Sequence, residues 1–317
     1  MPFFLITIEV IGNSCAKKYF RKLFFATKAQ RHREGTKNFQ TETIPKVNQS
    51  NHFPLHCVSS GMVRRDPFGH KLFLKRLLIS TIGWITWRRY CRKNKVSISG
   101  TENLIGLPNS NVLFIANHQT YFAEVIAMLH VFCAVKNGYS NTISKPKYLF
   151  RPKINNYFVA AEETMKKGLL PRIFAYAGSV SIQRTWRAGN KDVNRKVRME
   201  DLSKIGIALG DGWVINFPQG TTKIHAKGRR GVTALVKKYN PIVVPVVIDG
   251  FRRAFDKKGL KTKRKGIALS IRFKAPLQLD PNEQGDLMLE KIMDAIEQSE
   301  KYFFPKKVSE KVPVDQE

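Results

Sequence analysis

The chain has 317 residues, with 55 Lys and Arg against 24 Asp and Glu, a formal net charge of +31 with histidine neutral. Hydrophobic residues make up 43% of it, which excludes a disordered basic tail for most of the length and allows one large or two small domains. So one-sided a charge predicts a polyanionic partner: nucleic acid, an anionic membrane or a phosphorylated substrate.

Cys15, Cys57, Cys91 and Cys133 are scattered without the close pairing of a zinc site or a disulfide framework, which fits a reducing compartment. Residues 3–12 are apolar but include Glu9 and lack a basic leading segment, a poor match to a signal peptide. No apolar run reaches the roughly 18–20 residues of a spanning helix, so peripheral membrane binding is the form of membrane contact left open.

Residues 1–61 are polar from Lys28 onward and keep no sustained period. Nine basic and three acidic residues precede Met62. Two readings stand: a disordered leader, or an extension upstream of a natural start at Met62. From 68 to 95, Leu72, Leu74, Leu77, Leu78, Ile82, Trp84, Ile85 and Trp87 are interleaved with Lys71, Lys75, Arg76, Arg88, Arg89, Arg92 and Lys95. The uncharged stretch Leu77–Trp87 is too short to span a bilayer. A basic-flanked apolar helix with two Trp fits a membrane interface; the alternative is a helix packed on the domain.

Short β-branched runs then alternate with helical runs. Strands are expected at Val112–Ala116, Tyr157–Ala161, Ser179–Gln183, Trp213–Phe217, Ile242–Ile248 and Ile267–Lys274. Helices are expected at 120–135 (with Thr120 as N-cap), 162–177, 192–209, 232–238 and 286–302. Pro245 argues that its strand lies at an edge or carries a bulge. The expected fold is α/β: a single domain over 96–304 with a mixed, largely parallel central sheet flanked by helices. The basic amphipathic helix at 68–95 precedes it, and a frayed tail follows at 305–317.

Three stretches could carry chemistry, each just beyond a strand. His118 follows Val112–Ala116 and Asn117, and Glu124 comes six residues later, where a first helical turn could return it to the imidazole. A carboxylate on one ring nitrogen fixes the tautomer, and the other nitrogen can then take a proton from a hydroxyl. Phe217 to Lys223 follows Trp213–Phe217. Gly220 lets the backbone turn and present N–H groups, with Lys223, Lys227, Arg229 and Arg230 close behind, a setting for phosphate or carboxylate. Gly178 to Arg184 ends a strand on a guanidinium that could reach an anion. Taken singly, the His–acid pair and the basic loop read more readily as ordinary structure and a solvated surface, and Arg184 reads equally well as a surface residue paired with Asp192.

Together and in this order they resemble the glycerolipid acyltransferase family, of the lysophosphatidic acid acyltransferase type. Asn117-His118-Gln119-Thr120-Tyr121-Phe122-Ala123-Glu124 is similar to the family's first block, His-x4-Asp, but with the longer His-x5-acid spacing of a subgroup. Gly178 to Arg184 resembles the second block. Phe217-Pro218-Gln219-Gly220-Thr221-Thr222 resembles the third, Phe-Pro-Glu-Gly-Thr-Arg, with Gln219 for its Glu and Thr222 for its Arg. Val244 to Ile248 resembles the fourth, Val-Pro-Val-x-Ile. Arg229 and Gly231 are similar to a Lys-x-Gly beyond the third block. The resemblance covers about residues 95–250.

The resemblance implies acyl transfer from an acyl-CoA or acyl-ACP thioester to a lysolipid hydroxyl, 1-acylglycerol-3-phosphate in phospholipid synthesis first among them. An amino-acid lipid or another lysolipid is the alternative acceptor, made plausible by the missing Arg at 222. It implies His118 as general base and Glu124 as its orienting acid. Arg184, Gln219, Gly220, Thr221, Lys223 and Arg229 become the substrate-binding set. No metal and no bound cofactor are expected; the donor is a substrate. The expected partners are an anionic membrane surface, reached peripherally from the cytoplasmic face, the lysolipid and an acyl carrier protein. A nucleic-acid-binding protein is the rival suggested by charge alone, but no recognisable module supports it. A chain of this type that has lost activity is the second rival, argued by Gln219 and Thr222.

Overall fold

The run Val112–Ala116 is apolar at every position, and all five residues are buried. A strand with no polar face must be covered on both sides, and this one is. Val112, Phe114 and Ala116 enter one apolar cluster, while Leu113 and Ile115 enter another. The strand is therefore central, and its two faces each need a layer of helices.

The computed structural model describes residues 64–165, 169–183, 187–188, 191–192 and 198–303. The expected leader at 1–61, the tail at 305–317 and Arg184 lie outside the described residues. In chain order the elements are α1 (Leu72–Cys91), β1 (Lys95–Ser99), β2 (Val112–Ala116), α2 (Ala123–Lys136), β3 (Asn156–Ala161), α3 (Glu162–Met165), α4 (Leu169–Ala177), β4 (Ser179–Ile182), β5 (Arg187–Ala188), β6 (Lys191–Asp192), α5 (Met199–Asp211), β7 (Trp213–Asn216), α6 (Gly231–Tyr239), β8 (Ile242–Asp249), α7 (Phe251–Ala254), β9 (Ala268–Phe273) and α8 (Gly285–Ala295). Seven strands form one sheet in the order β1-β9-β8-β2-β7-β3-β4, and β5 and β6 form a separate antiparallel pair. Within the large sheet every pairing is parallel except β8 with β9. The fold is thus α/β, with a mixed, largely parallel sheet.

The two faces divide the helices. Val125, Met128, Val131 and Phe132 of α2 pack on the Phe114 side, where the rings of Phe114, Phe132 and Trp213 meet at tilted and edge-to-face angles with centroids within 5.2 Å of one another. Leu202, Ile205 and Leu209 of α5, Val232 and Leu235 of α6, and Met288 and Ile292 of α8 cover the other.

Several boundaries differ from the sequence reading. The helix expected at 192–209 starts at Met199, where Glu200 and Asp201 complement the positive end of its dipole. The expected helix at 162–177 is described as two pieces, Glu162–Met165 and Leu169–Ala177. The last helix stops at Ala295. Glu297 takes a left-handed backbone, φ 59°, and its carboxylate pairs with Arg272 at 2.8 Å and Lys274 at 3.1 Å. Pro245 does not lie in an edge strand, but the register slips beside it: β8 pairs Val246 with Phe273 and Val243 with Leu277, so two residues of β8 face three of the segment that continues β9, a bulge. β8 has β2 on one side and β9 on the other, and Pro245 sits just outside the β9 ladder, which pairs Val246 to Asp249. There the missing N–H breaks no ladder bond to β9, while the Pro245 carbonyl still accepts from the Lys274 N–H at 2.9 Å.

α1 turns polar residues inward and large apolar ones outward. Lys75, Gly83, Thr86 and Tyr90 are buried, while Phe73 is 71% and Trp84 41% exposed. Buried polar contacts hold it to the domain. Thr86 Oγ1 lies 2.8 Å from His130 Nε2, and the Tyr90 hydroxyl donates to the Ala123 carbonyl at 2.8 Å. Lys75 Nζ meets Asp66 at 3.2 Å and lies over the Tyr157 ring. Desolvation opposes a charged Asp66. The hydrogen bonds from His70 and the Lys75 charge outweigh it and hold the carboxyl well below its ordinary range.

Candidate active site

Because β8, β2 and β7 are adjacent and parallel, their carboxyl ends open on one edge of the sheet. The turn after β2, the loop after β7 and the turn after β8 therefore meet there, where α/β sheets commonly place ligands.

The first of these turns is clamped across the sheet. Asn117 donates from Nδ2 to the Ile248 carbonyl at 2.8 Å and accepts at Oδ1 from the Ile248 N–H at 2.7 Å. Gln119 Nε2 reaches the same carbonyl at 3.0 Å. His118 is held between these two fixed residues. Its Nδ1 lies 2.8 Å from Glu124 Oε1, and its ring stacks on Phe217 at 4.0 Å between centroids. Nε2 of His118 has no hydrogen-bond partner among the described residues and is not sealed from solvent.

Glu124 is wholly buried in the first turn of α2. Its Oε1 accepts from His118 and from the N–H groups of Gln119 and Thr120, each at 2.8 Å; its Oε2 accepts from Thr120 Oγ1 at 2.5 Å. Burial would raise the carboxyl pKa. The His118 bond and charge and the Thr120 hydroxyl and N–H more than offset it, so Glu124 sits below its ordinary value and stays ionised. A buried carboxylate is the natural acceptor for Nδ1–H, which leaves Nε2 as the imidazole's lone-pair nitrogen. The longer His-x5-acid spacing is accommodated because α2 starts at Ala123. Thr120 is not its N-cap, although its Oγ1 accepts the Ala123 N–H at 3.1 Å.

The loop after β7 turns at Phe217–Gly220, closed by the Gly220 N–H on the Phe217 carbonyl at 3.0 Å. Gly220 has φ 62°, a conformation side chains resist. Its N–H is thus spent, and its part is to turn the chain. The Thr221 and Thr222 N–H groups donate no hydrogen bond among the described residues. Gln219 is not turned toward a ligand. It is 1% exposed, and its amide donates to the Ala226 carbonyl at 2.9 Å and to Gln298 at 3.1 Å. Arg229 is half-buried, and its N–H closes the loop on the Pro218 carbonyl at 2.9 Å. Lys223 is exposed beside Thr221. The structure therefore brings His118, Glu124, Phe217 and the Thr221 loop together, and makes Gln219 a support of that loop.

Three residues given no role by sequence belong here: Asn117, Gln119 and Arg252. The Arg252 N–H donates to Gln119 Oε1 at 3.2 Å, and its guanidinium donates to the Thr222 carbonyl. Only adjacency to His118 could have flagged the first two, because their partners lie some 130 residues away. No group of three or more His, Cys, Asp or Glu among the described residues is arranged to hold a metal ion.

No family model matches the sequence, and no curated protein matches it. A crystal structure of the 1-acyl-sn-glycerophosphate (LPA) acyltransferase PlsC from Thermotoga maritima is similar, with 18% identity and a TM-score of 0.44. The match covers 70% of this chain and 76% of that one. A likeness that distant does not place the chain in a family, so the functional reading rests on its own residues.

Proposed function

We propose that the chain is a lipid acyltransferase that moves a fatty acyl group from an acyl-CoA or acyl-ACP thioester to a hydroxyl of a lysolipid, 1-acylglycerol-3-phosphate in the first instance. The observation that carries this reading is the buried, ionised Glu124 at 2.8 Å from His118 Nδ1, with Nε2 open at the carboxyl edge of the sheet.

His118 Nε2 takes the proton of the acceptor hydroxyl as its oxygen attacks the thioester carbonyl. Glu124 stabilises the imidazolium that forms and keeps the ring in place. The Thr221 and Thr222 N–H groups stabilise the tetrahedral oxyanion. The C–S bond breaks as the carbonyl re-forms, and the proton on Nε2 passes to the departing thiolate. No acyl-enzyme is formed. The hydroxyl becomes an ester and the thioester a thiol, so atoms and charge balance.

The protein works on the cytoplasmic face of an anionic membrane. Phe73, Leu77, Trp84 and Phe150 are exposed, and Arg76, Arg88, Arg92, Lys145 and Lys147 are exposed among them. A cleft of about 330 Å³ lies among Trp84, Ile85, Trp87, Arg88 and Arg92. Aromatic rings with basic neighbours suit the headgroup region. No helix among the described residues is long and apolar enough to cross a membrane.

The test is direct. Purified protein is incubated with acyl-CoA or acyl-ACP and a panel of lysolipids, and products are identified by mass spectrometry. An esterified lysophosphatidic acid supports the reading; no product with any acceptor excludes it. His118→Ala is expected to lower turnover by about 10²–10⁴.

A further inference from the structure

Arg252 is a basic residue of α7, just beyond the end of β8. It is not a solvated one. It is half-buried, its backbone N–H is bonded to Gln119 Oε1, and its guanidinium is bonded to the Thr222 carbonyl. Gln119 is in turn tied to β8 through the Ile248 carbonyl. The side chain thus bridges the residue next to His118 and the loop that presents Thr221.

Its charge is also uncompensated. Arg253, its neighbour, pairs with Asp249 at 2.9 Å, and Arg230 and Arg272 pair with Asp286 and Glu297. Among the described residues Arg252 has no acidic partner. Asp249, three residues before it, is engaged by Arg253 and lies 3.4 Å from the Gln119 amide. A guanidinium has five N–H donors in a fixed fork. The Thr222 carbonyl is the acceptor recorded for this one, so most of the fork remains for another ligand. A cation held in place, partly desolvated and not neutralised is suited to a bidentate oxyanion.

We infer that Arg252 binds the phosphate monoester of the acceptor. This rests on the acyl-transfer reading above and deepens it. The argument for acceptor over donor is one of distance. In a 2-hydroxy-glycerol 3-phosphate the reacting hydroxyl and the phosphate sit on adjacent carbons, so the phosphate must lie beside His118. The phosphates of a CoA or carrier-protein donor lie at the far end of the pantetheine arm, well away from the thioester. Thr222 brings no charge of its own; Arg252 supplies one at the same place from α7, the short helix after β8.

Steady-state kinetics with lysophosphatidic acid and an acyl thioester on Arg252→Gln and Arg252→Lys test this. For Arg252→Gln the acceptor KM is expected to rise roughly 10- to 100-fold, with a much smaller change in donor KM and in the turnover of a neutral monoacylglycerol. Arg252→Lys should retain part of the affinity, and carries the test if the Gln variant does not fold. An unchanged acceptor KM, or an equal rise for the donor, overturns the inference. Calorimetric titration with lysophosphatidic acid, and separately with inorganic phosphate, stands apart from turnover. Wild-type binding that Arg252→Gln loses supports the site even if no acceptor is acylated, in which case the function alone has failed. Equal binding by both proteins, or none by the wild type, overturns it. Competition by inorganic phosphate distinguishes a headgroup site from one that needs the lipid chain.

Discussion

Ionising a carboxylate that has no exposed surface is costly, and Glu124 remains charged because four donors converge on it. Its purpose follows from what it holds: the imidazole tautomer and the turn that carries it. Glu124→Gln keeps the shape but loses the charge, so turnover should fall by about 10²-fold or more while the fold persists. The pH sign follows from the lowered pKa. A carboxyl whose folded pKa is depressed stabilises the protein at every pH above its unfolded value, and loses that contribution as pH falls through the folded one. The stability difference between wild type and Glu124→Gln should therefore be constant through neutral pH and shrink in acid, as measured by urea unfolding at a series of pH values. His130 shows the contrast. It is also buried, bonded to Tyr148 and Thr86, but burial without a carboxylate pushes its pKa down to about 3 and leaves it a neutral core residue.

At the scale of elements, the site depends on turns locked to strands. Gly250 takes φ 89°, and a Cβ there would stand 2.1 Å from the Ala268 carbonyl oxygen of β9. Gly250→Ala must move that strand or the turn that carries Arg252. It should cost at least about 2 kcal/mol of stability by thermal denaturation and weaken the acceptor site with it. The strands themselves were legible in the residues. Val112–Ala116 is apolar throughout and Trp213–Asn216 nearly so, because a central parallel strand is covered on both faces. Which of its two expected places Pro245 takes, edge or bulge, was not legible. Its penalty depends on which neighbour would have used its N–H, and only the end of the β9 ladder decides that. Nor was the orientation of α1. Its composition read as a basic apolar helix, and which residues face inward is set by its partners at His130, Ala123 and Asp66.

For the molecule as a whole, the charge of +31 and the outward aromatic face of α1 predict one behaviour. The protein should co-sediment with anionic vesicles, bind neutral phosphatidylcholine vesicles weakly, and release from the anionic ones as salt rises. Trp84→Ser combined with Phe150→Ser should weaken the binding that survives at high salt, since that part is apolar. Equal binding to neutral and anionic vesicles would remove the electrostatic half of this picture.

The alternation of strands and helices, the placing of His118 beyond a strand and the reach to Glu124 were determined by the sequence alone. These are local properties: hydrophobic period, turn residues and a spacing of six. Gln219 inward, Asn117 clamped to β8 and Arg252 bridging Gln119 to Thr222 were decided only by tertiary structure. Each depends on a partner 30 to 133 residues away, brought within hydrogen-bonding distance by the way the strands and helices pack. Strand order is a property of packing, and no pattern along the chain carries it.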